Sequence, residues 1–349
     1  MTLEESHLTS TTTTTIDAAD TETFLAAIKS KNIDAIASLI TSAPMIVHHR
    51  SKSGRTGLHL AAETGDWEIC EALIRNGAPW NAVDEDGVSA GEIAKKSGFE
   101  ELYSLLKDEG VRSELILGML DRRVDAEEVD DEFLKQKLHY SEDGTVLFDE
   151  DNNGVMMDWE TPLMIEHVKT MIKGESGKDV LNVGFGLGIV DSLIQNTKPR
   201  NHFIIEAHPD VYAHMLEKGW DQLPGVTILY GKWQEVVEDL YNSGTNFDCI
   251  FFDTFGETYD ALRDFHDHVP NLLKNEESVY SWFNGLGGTN TFFHDVYCDI
   301  ARLELLDMGV RCEYIEVDVE ALSEEVWKGV KRPYFTLRTY RLPLCCLDV

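Results

Sequence analysis

The stretch Asp179-Val180-Leu181-Asn182-Val183-Gly184-Phe185-Gly186-Leu187-Gly188 decides how this chain folds. An apolar run breaks into a glycine turn. Apolar runs then recur at Phe203-Ile204-Ile205-Glu206, at Val226-Thr227-Ile228-Leu229-Tyr230 and at Phe247-Asp248-Cys249-Ile250-Phe251-Phe252-Asp253. Each is short, rich in Val, Ile and Phe, and bounded by turn or charged residues. Segments with helical spacing separate them. That alternation predicts a parallel sheet covered by helices, an α/β fold.

A glycine turn after the first strand lets a ligand approach the backbone where a helix begins. Ligands in such sheets bind outside the carboxyl ends of the strands, and Glu206, ending the second strand, is placed to accept hydrogen bonds from a ribose diol. The dinucleotide fingerprint G-x-G-x-x-G requires a third glycine where Ile189 stands. Gly184, Gly186 and Gly188 instead form G-x-G-x-G, the S-adenosylmethionine pattern. Taken alone this is weak, because any tight strand-to-helix turn also needs glycine. Asp253, ending the fourth strand, places another acid beside the reacting end of the cofactor and favours that donor.

At 349 residues the chain has room for two domains with a sizeable core. Acids outnumber bases 63 to 30, a formal charge of -33. Such a polyanion is not expected to bind nucleic acid directly; a basic, arginine- or lysine-rich protein suits it better. No apolar run approaches a membrane span, and the N-terminus lacks a signal-peptide pattern. The six cysteines show no metal-ligand spacing. We expect reduced thiols, no metal, and a cytoplasmic or nuclear monomer.

Residues 1–20 contain an unbroken threonine run, Thr11 to Thr15, and are expected to be a disordered tail. Residues 21–112 repeat. Gly54-Arg55-Thr56-Gly57-Leu58-His59-Leu60-Ala61-Ala62, then Gly65 and Gly77-Ala78, is followed by a second copy starting at Gly87-Val88-Ser89, with a fainter match upstream. The segment resembles ankyrin repeats, whose signature is T-P-L-H-x-A, with Gly57 in place of the proline. It is expected to form a small all-α domain with one concave face suited to protein contact. His59 should hydrogen-bond the repeat turn rather than act in catalysis. Residues 113–139 are read as an acidic helical connector. From residue 140, the segment Tyr140 to Phe148 turns at Asp143-Gly144, and a helix is expected from Thr161-Pro162 to about Lys173.

The motifs Val155-Met156-Met157-Asp158-Trp159-Glu160-Thr161-Pro162, Val183-Gly184-Phe185-Gly186, His202-Phe203-Ile204-Ile205-Glu206, Gly231-Lys232-Trp233-Gln234 and Phe247-Asp248 through Asp253-Thr254 occur in that order. As a set they resemble the guanidinoacetate N-methyltransferase family, over residues 140–349. One branch of that family carries N-terminal ankyrin-like repeats and methylates the delta nitrogen (N5) of protein arginine, the type IV activity. The resemblance implies a seven-stranded Rossmann-like class I methyltransferase sheet with an antiparallel last strand. It implies S-adenosyl-L-methionine as donor, and a basic protein presenting an arginine as acceptor; the family's acceptors include a ribosomal protein.

It also implies roles. Gly184 and the turn residues Phe185, Gly186, Leu187, Gly188, Ile189 and Val190 would line the methionine and ribose. Glu206, Ala207 and His208 would hold the ribose and flank the adenine, which Trp233 and Gln234 would border. Met156 and Met164 would pack near the sulfonium, and Tyr140 or Phe148 would supply the aromatic that closes the site. Glu160 and Asp253 match the acids that grip the guanidino group. Where the small-molecule members continue with a tyrosine-proline step, this chain has Thr254-Phe255-Gly256-Glu257, which fits a larger acceptor.

The chemistry agrees. A guanidinium is planar, always charged and a poor nucleophile. Two carboxylates can neutralise and orient it, and one can accept the proton released on attack, a role assigned to Asp253. Without the resemblance, Glu160 reads more simply as an acid favoured by a helix N-terminus, and Met156 or Met164 as ordinary core. Two alternatives stay open: a guanidinoacetate-like small-molecule methyltransferase, and a non-catalytic ankyrin adaptor. Beyond Asp253 the expected order is a helix at Tyr259–Leu273, a strand at Ser278–Phe283, a glycine loop, a helix at Thr291–Met308, a strand at Cys312–Val317 and a final strand at Tyr334–Leu342.

Overall fold

The computed structural model describes residues 18–121, 132–255, 259–320 and 322–348. Its contacts divide the chain into two units, residues 1–113 and 114–349. The N-terminal unit is built of helix pairs: Ala18–Lys29 with Ile33–Ser42, Gly57–Thr64 with Trp67–Arg75, and Ala90–Lys96 with the start of Glu100–Asp121. Repeat turns tie one pair to the next. His59, fully buried, accepts the Thr56 N–H on Nδ1 at 3.1 Å, so its proton lies on Nε2, which donates to Val88 O at 3.1 Å in the following turn. Burial lowers its pKa further from the charged form. His59 is therefore a neutral structural staple, as its place in the repeat predicts.

Ala18, Ala19 and Asp20 begin a helix, so the expected tail is too long by three residues; residues 1–17 lie outside the described ones. The connector expected at 113–139 begins inside the helix Glu100–Asp121, and residues 122–131 lie outside the described ones.

In the C-terminal unit three short strands come first, β1 (His139–Tyr140), β2 (Val146–Phe148) and β3 (Gly154–Met157), paired antiparallel in that order. The main sheet follows: β4 (Asp179–Val183), β5 (Asn201–Glu206), β6 (Val226–Tyr230), β7 (Cys249–Phe252), β8 (Val279–Trp282), β9 (Val310–Asp318) and β10 (Thr339–Leu347). Their spatial order is β6-β5-β4-β7-β8-β10-β9. The first five are mutually parallel; β10 runs antiparallel to both its neighbours. This is the seven-stranded arrangement the sequence predicts.

The central strands bury both faces, which is why they read as continuous apolar runs. Alternate residues feed two layers. Leu181, Val183, Ile250 and Phe252 pack one side with Phe265 and Leu305. Val180, Cys249 and Phe251 pack the other with Met164, Val168 and Met171 of the helix Thr161–Ile172. The strand order reverses at β4, between β5 and β7, and the cleft at their carboxyl ends is the one a ligand can enter.

Two elements depart from the sequence reading. The helix expected over Tyr259–Leu273 is two helices, Tyr259–His266 and Val269–Leu272. Pro270 lacks the N–H that would continue the first, and sits instead in the first turn of the second. The final strand is Thr339–Leu347 rather than Tyr334–Leu342. Pro343 lies within it, although proline is rare inside a sheet. Here its carbonyl accepts a hydrogen bond from Ser281 Oγ, and β10 meets β8 at Cys345, opposite Tyr280, two residues further on. The missing donor therefore falls before that ladder begins.

Candidate functional site

A cavity of about 470 Å³ opens at the carboxyl ends of β4, β5 and β7. That volume lies within the range of small-molecule sites, about 300–1,000 Å³. Its floor is the glycine turn. Gly184 has φ +93°, and a Cβ there would lie 1.8 Å from the carbonyl oxygen of Asp253, so the turn can pass β7 only as glycine. Gly186 has φ +55°, and a Cβ there would lie 2.5 Å from Met156 Sδ. Met156, on β3, reaches over the turn, and its sulfur accepts the Leu187 N–H at 3.3 Å.

Beneath the turn, Asn182 donates to Gly184 O at 2.7 Å and to both carboxylate oxygens of fully buried Asp191 at 2.9 Å. His202 Nε2 stands 3.0 Å from Asp191 on the other side. Glu206, at the end of β5, is 7% exposed. It accepts the Phe185 N–H at 2.9 Å and the His208 N–H at 2.6 Å. Burial drives its pKa up to about 7, against the pull of these N–H donors.

Glu160 enters from the turn that precedes the helix Thr161–Ile172, and is 2% exposed. It accepts the Met157 N–H at 3.1 Å and the hydroxyl proton of Tyr334. Asp253 follows β7, its own N–H donating to Val183 O at 2.8 Å. Desolvation pushes both carboxyls well above the ordinary range; Asp253 adds to the effect at Glu160, and Asp191 to that at Asp253. The site thus holds two buried acids whose charged forms are disfavoured.

Of the residues singled out from sequence, Met156, Glu160, Gly184, Phe185, Gly186, Val190, Glu206, Ala207, His208, Trp233, Gln234 and Asp253 all line this one cavity. Leu187, Gly188 and Ile189 continue the turn behind it and are not part of the wall. Met164 is fully buried in the core layer under the sheet, its helix face turned inward, and does not reach the cavity. Tyr140 and Phe148 do not close the site. Tyr140 stacks on His214 with centroids 3.9 Å apart and donates to Gly186 O at 3.0 Å, bracing the turn from outside. Phe148 stacks on His139. Phe133, from the stretch read as connector, lines the cavity; its ring lies 5.3 Å from His208 and 4.4 Å from Phe255. Tyr334 is another wall residue that the sequence reading missed, since it was assigned to the last strand.

A sequence profile described as guanidinoacetate N-methyltransferase matches residues 124–323, and one of ankyrin repeats matches residues 39–94. The chain is 42% identical over 322 residues to "Protein arginine N-methyltransferase 2" of Cryptococcus neoformans var. neoformans serotype D, covering 85% of this chain and 86% of that protein. It is 38% identical to the protein of the same name from Aspergillus oryzae, covering 78% and 76%. Against that from Neurospora crassa it is 32% identical over 406 residues, covering 92% and 94%.

Proposed function

The chain belongs to the guanidinoacetate N-methyltransferase family, and from that membership we propose that it methylates arginine residues of proteins, at the internal delta nitrogen, with S-adenosylmethionine as donor. The observation that carries the reading is the pairing of Glu160 and Asp253, from different elements, on the wall of the cavity that also holds the glycine turn and Glu206. The relatives' name supports protein arginine as acceptor. The charge of -33 favours encounter with a basic, arginine-rich protein.

The residues fit the donor. Gly184 and Gly186 keep a backbone cradle that any Cβ would fill. Glu206 stands where a ribose diol would be held, with Ala207, His208, Trp233 and Gln234 around an adenine. The bound donor supplies an electrophilic methyl group. The chain's residues do the rest: Glu160 and Asp253 neutralise and orient the guanidinium so that one nitrogen faces the methyl. Asp253 would accept the proton that nitrogen must lose when the methyl passes to it from the donor's sulfur, which leaves as the neutral thioether. Phe133, Phe255 and Met156 exclude water, which strengthens each of these interactions.

The deciding experiment incubates the protein with labelled donor and either an arginine-rich basic protein or guanidinoacetate. Label in the protein, with fragmentation diagnostic of delta-methylarginine, is the expected result; label only in guanidinoacetate overturns the acceptor.

Glu160 should also show the cost of keeping an acid there. Its folded pKa is raised, so its contribution to stability is fully present below the unfolded carboxylate range and lost as pH rises to about 8. Glutamine keeps the acceptor oxygen without the charge. Glu160→Gln should therefore melt at or above the wild-type temperature at pH 8, with the gain shrinking towards pH 5, while turnover drops by about 10²–10⁴-fold. A melting point several degrees lower at pH 8 would show that the charge supports the fold.

A further inference from the structure

Glu160 is gripped from behind, at one oxygen. Met157 N–H donates to Oε1 at 3.1 Å, and the Tyr334 hydroxyl donates to the same atom. Trp159 Nε1 donates to the Tyr334 oxygen at 3.1 Å, so the phenol's own proton is committed to Glu160. Oε2 receives no hydrogen bond among the described residues, and Glu160 lines the cavity.

Tyr334 is itself held. Its ring packs against Trp327 at 5.2 Å and Trp159 at 5.8 Å. The loop that carries it, between β9 and β10, is braced by Lys331 N–H to Asn152 O at 2.9 Å and Thr336 N–H to Gly288 O at 2.8 Å.

We propose that Tyr334 is the positioning residue of the acceptor site, occupying Oε1 of Glu160 so that Oε2 alone is presented to the incoming guanidino group. The identity of that acceptor rests on the function proposed above; the pinning of the carboxylate does not. A carboxylate held in this way offers one directed hydrogen bond instead of a two-pronged fork, so the second must come from Asp253. Two single contacts from different elements then fix which nitrogen faces the donor.

The groups facing Glu160 are Asp253 at the end of β7, Tyr334 on the loop and, more deeply, Tyr340 of β10. Asp253 opposes ionisation, whereas the Tyr334 hydroxyl and the Met157 N–H favour it. Removing the hydroxyl should make Glu160 harder to ionise.

The test is Tyr334→Phe. Infrared difference titration, with Glu160→Gln to assign the band, should show the Glu160 carboxyl titrating at higher pH than in wild type. On an arginine-containing basic peptide, kcat/KM at pH 7 should fall roughly 10–100-fold, the size of a lost hydrogen bond to a charged group. That loss should shrink as pH rises, and donor affinity by calorimetry should stay within about threefold. Trp159→Phe, which removes only the indole donor, should move the titration slightly upward or not at all, because a hydrogen bond accepted by the phenol oxygen strengthens the one its hydroxyl donates, and that donor is still present. It also serves as a second probe if Tyr334→Phe fails to fold: a large upward shift there would overturn the assignment of donor and acceptor. A Glu160 titration unmoved by Tyr334→Phe, with a rate loss equal at every pH, would overturn the positioning role even if wild type methylates arginine. A titration that moves as expected in a protein that methylates no arginine peptide would sink the functional reading and leave the positioning role standing.

Discussion

Asp253→Asn is expected to lower turnover on a protein arginine by about 10²–10⁴-fold, the range for a lost acid–base group. Asparagine keeps the shape at the end of β7 and the backbone bond to Val183, so the sheet and the glycine turn should be undisturbed. It removes the negative charge facing the guanidinium and the oxygen that accepts its proton. Donor affinity should change by no more than a few-fold, because the donor's expected contacts are the turn and Glu206. Glu206→Ala should show the reverse pattern, weakening donor binding first and releasing the Phe185 and His208 N–H groups. Donor calorimetry beside steady-state rates separates the two. Normal turnover in Asp253→Asn would remove the acceptor site from this cavity even with the fold intact.

Gly184→Ala should be the most damaging single methyl in the chain. Two costs coincide there: a φ of +93°, and a methyl 1.8 Å from the Asp253 carbonyl oxygen. Strained backbone costs of order 1–3 kcal/mol, and overpacking typically another 1–3 kcal/mol. The turn or β7 must shift, and either movement separates the donor cradle from Asp253. We expect a lower melting temperature and donor affinity reduced by at least about 10²-fold, since a 1 Å misplacement already has effects of that order. Gly219→Ala is the control: its φ is +74°, but nothing lies within 4 Å of the added methyl. It should cost only the backbone share, about 1–2 kcal/mol, and leave donor binding alone. Equal effects from the two would refute the contact at Gly184.

The side of the cavity built from the glycine turn and Glu206 was legible because strand, turn and terminal acid are local features. Val180 to Val183, the three glycines and Glu206 each carry their meaning within a few residues. Asp253 was legible for the same reason. The side formed by Glu160 and Tyr334 was not. Glu160 could be placed only by family resemblance, since a lone acid before a helix start has a simpler reading. Tyr334 lies 174 residues away from the carboxylate it contacts, with no periodic signal to mark it. The last strand was started too early, directly after Pro333, and that carried Tyr334 into it. Met164, placed near the sulfonium by resemblance, sits in the core layer instead, because sequence shows that a helix residue faces inward, not whether the interior there is core or cavity. Tyr140 and Phe133 show the same limit, for both are aromatic and adjacent to the site, but only packing decides that one braces the turn and the other lines the cavity.

The strand order has a consequence for how this chain is made. β10 follows the other strands in sequence yet lies between β8 and β9, so β9 has no partner until β10 emerges. During synthesis the parallel half, β4 to β8, can assemble while Val310–Asp318 waits, an unpaired nine-residue edge of the kind that recruits foreign strands. Glu313, Glu316 and Asp318 stand exposed along it, and their like charges discourage that pairing in the interval. Tyr334 arrives with the same late segment. A nascent chain can therefore complete its glycine turn before the hydroxyl that holds Glu160 has emerged.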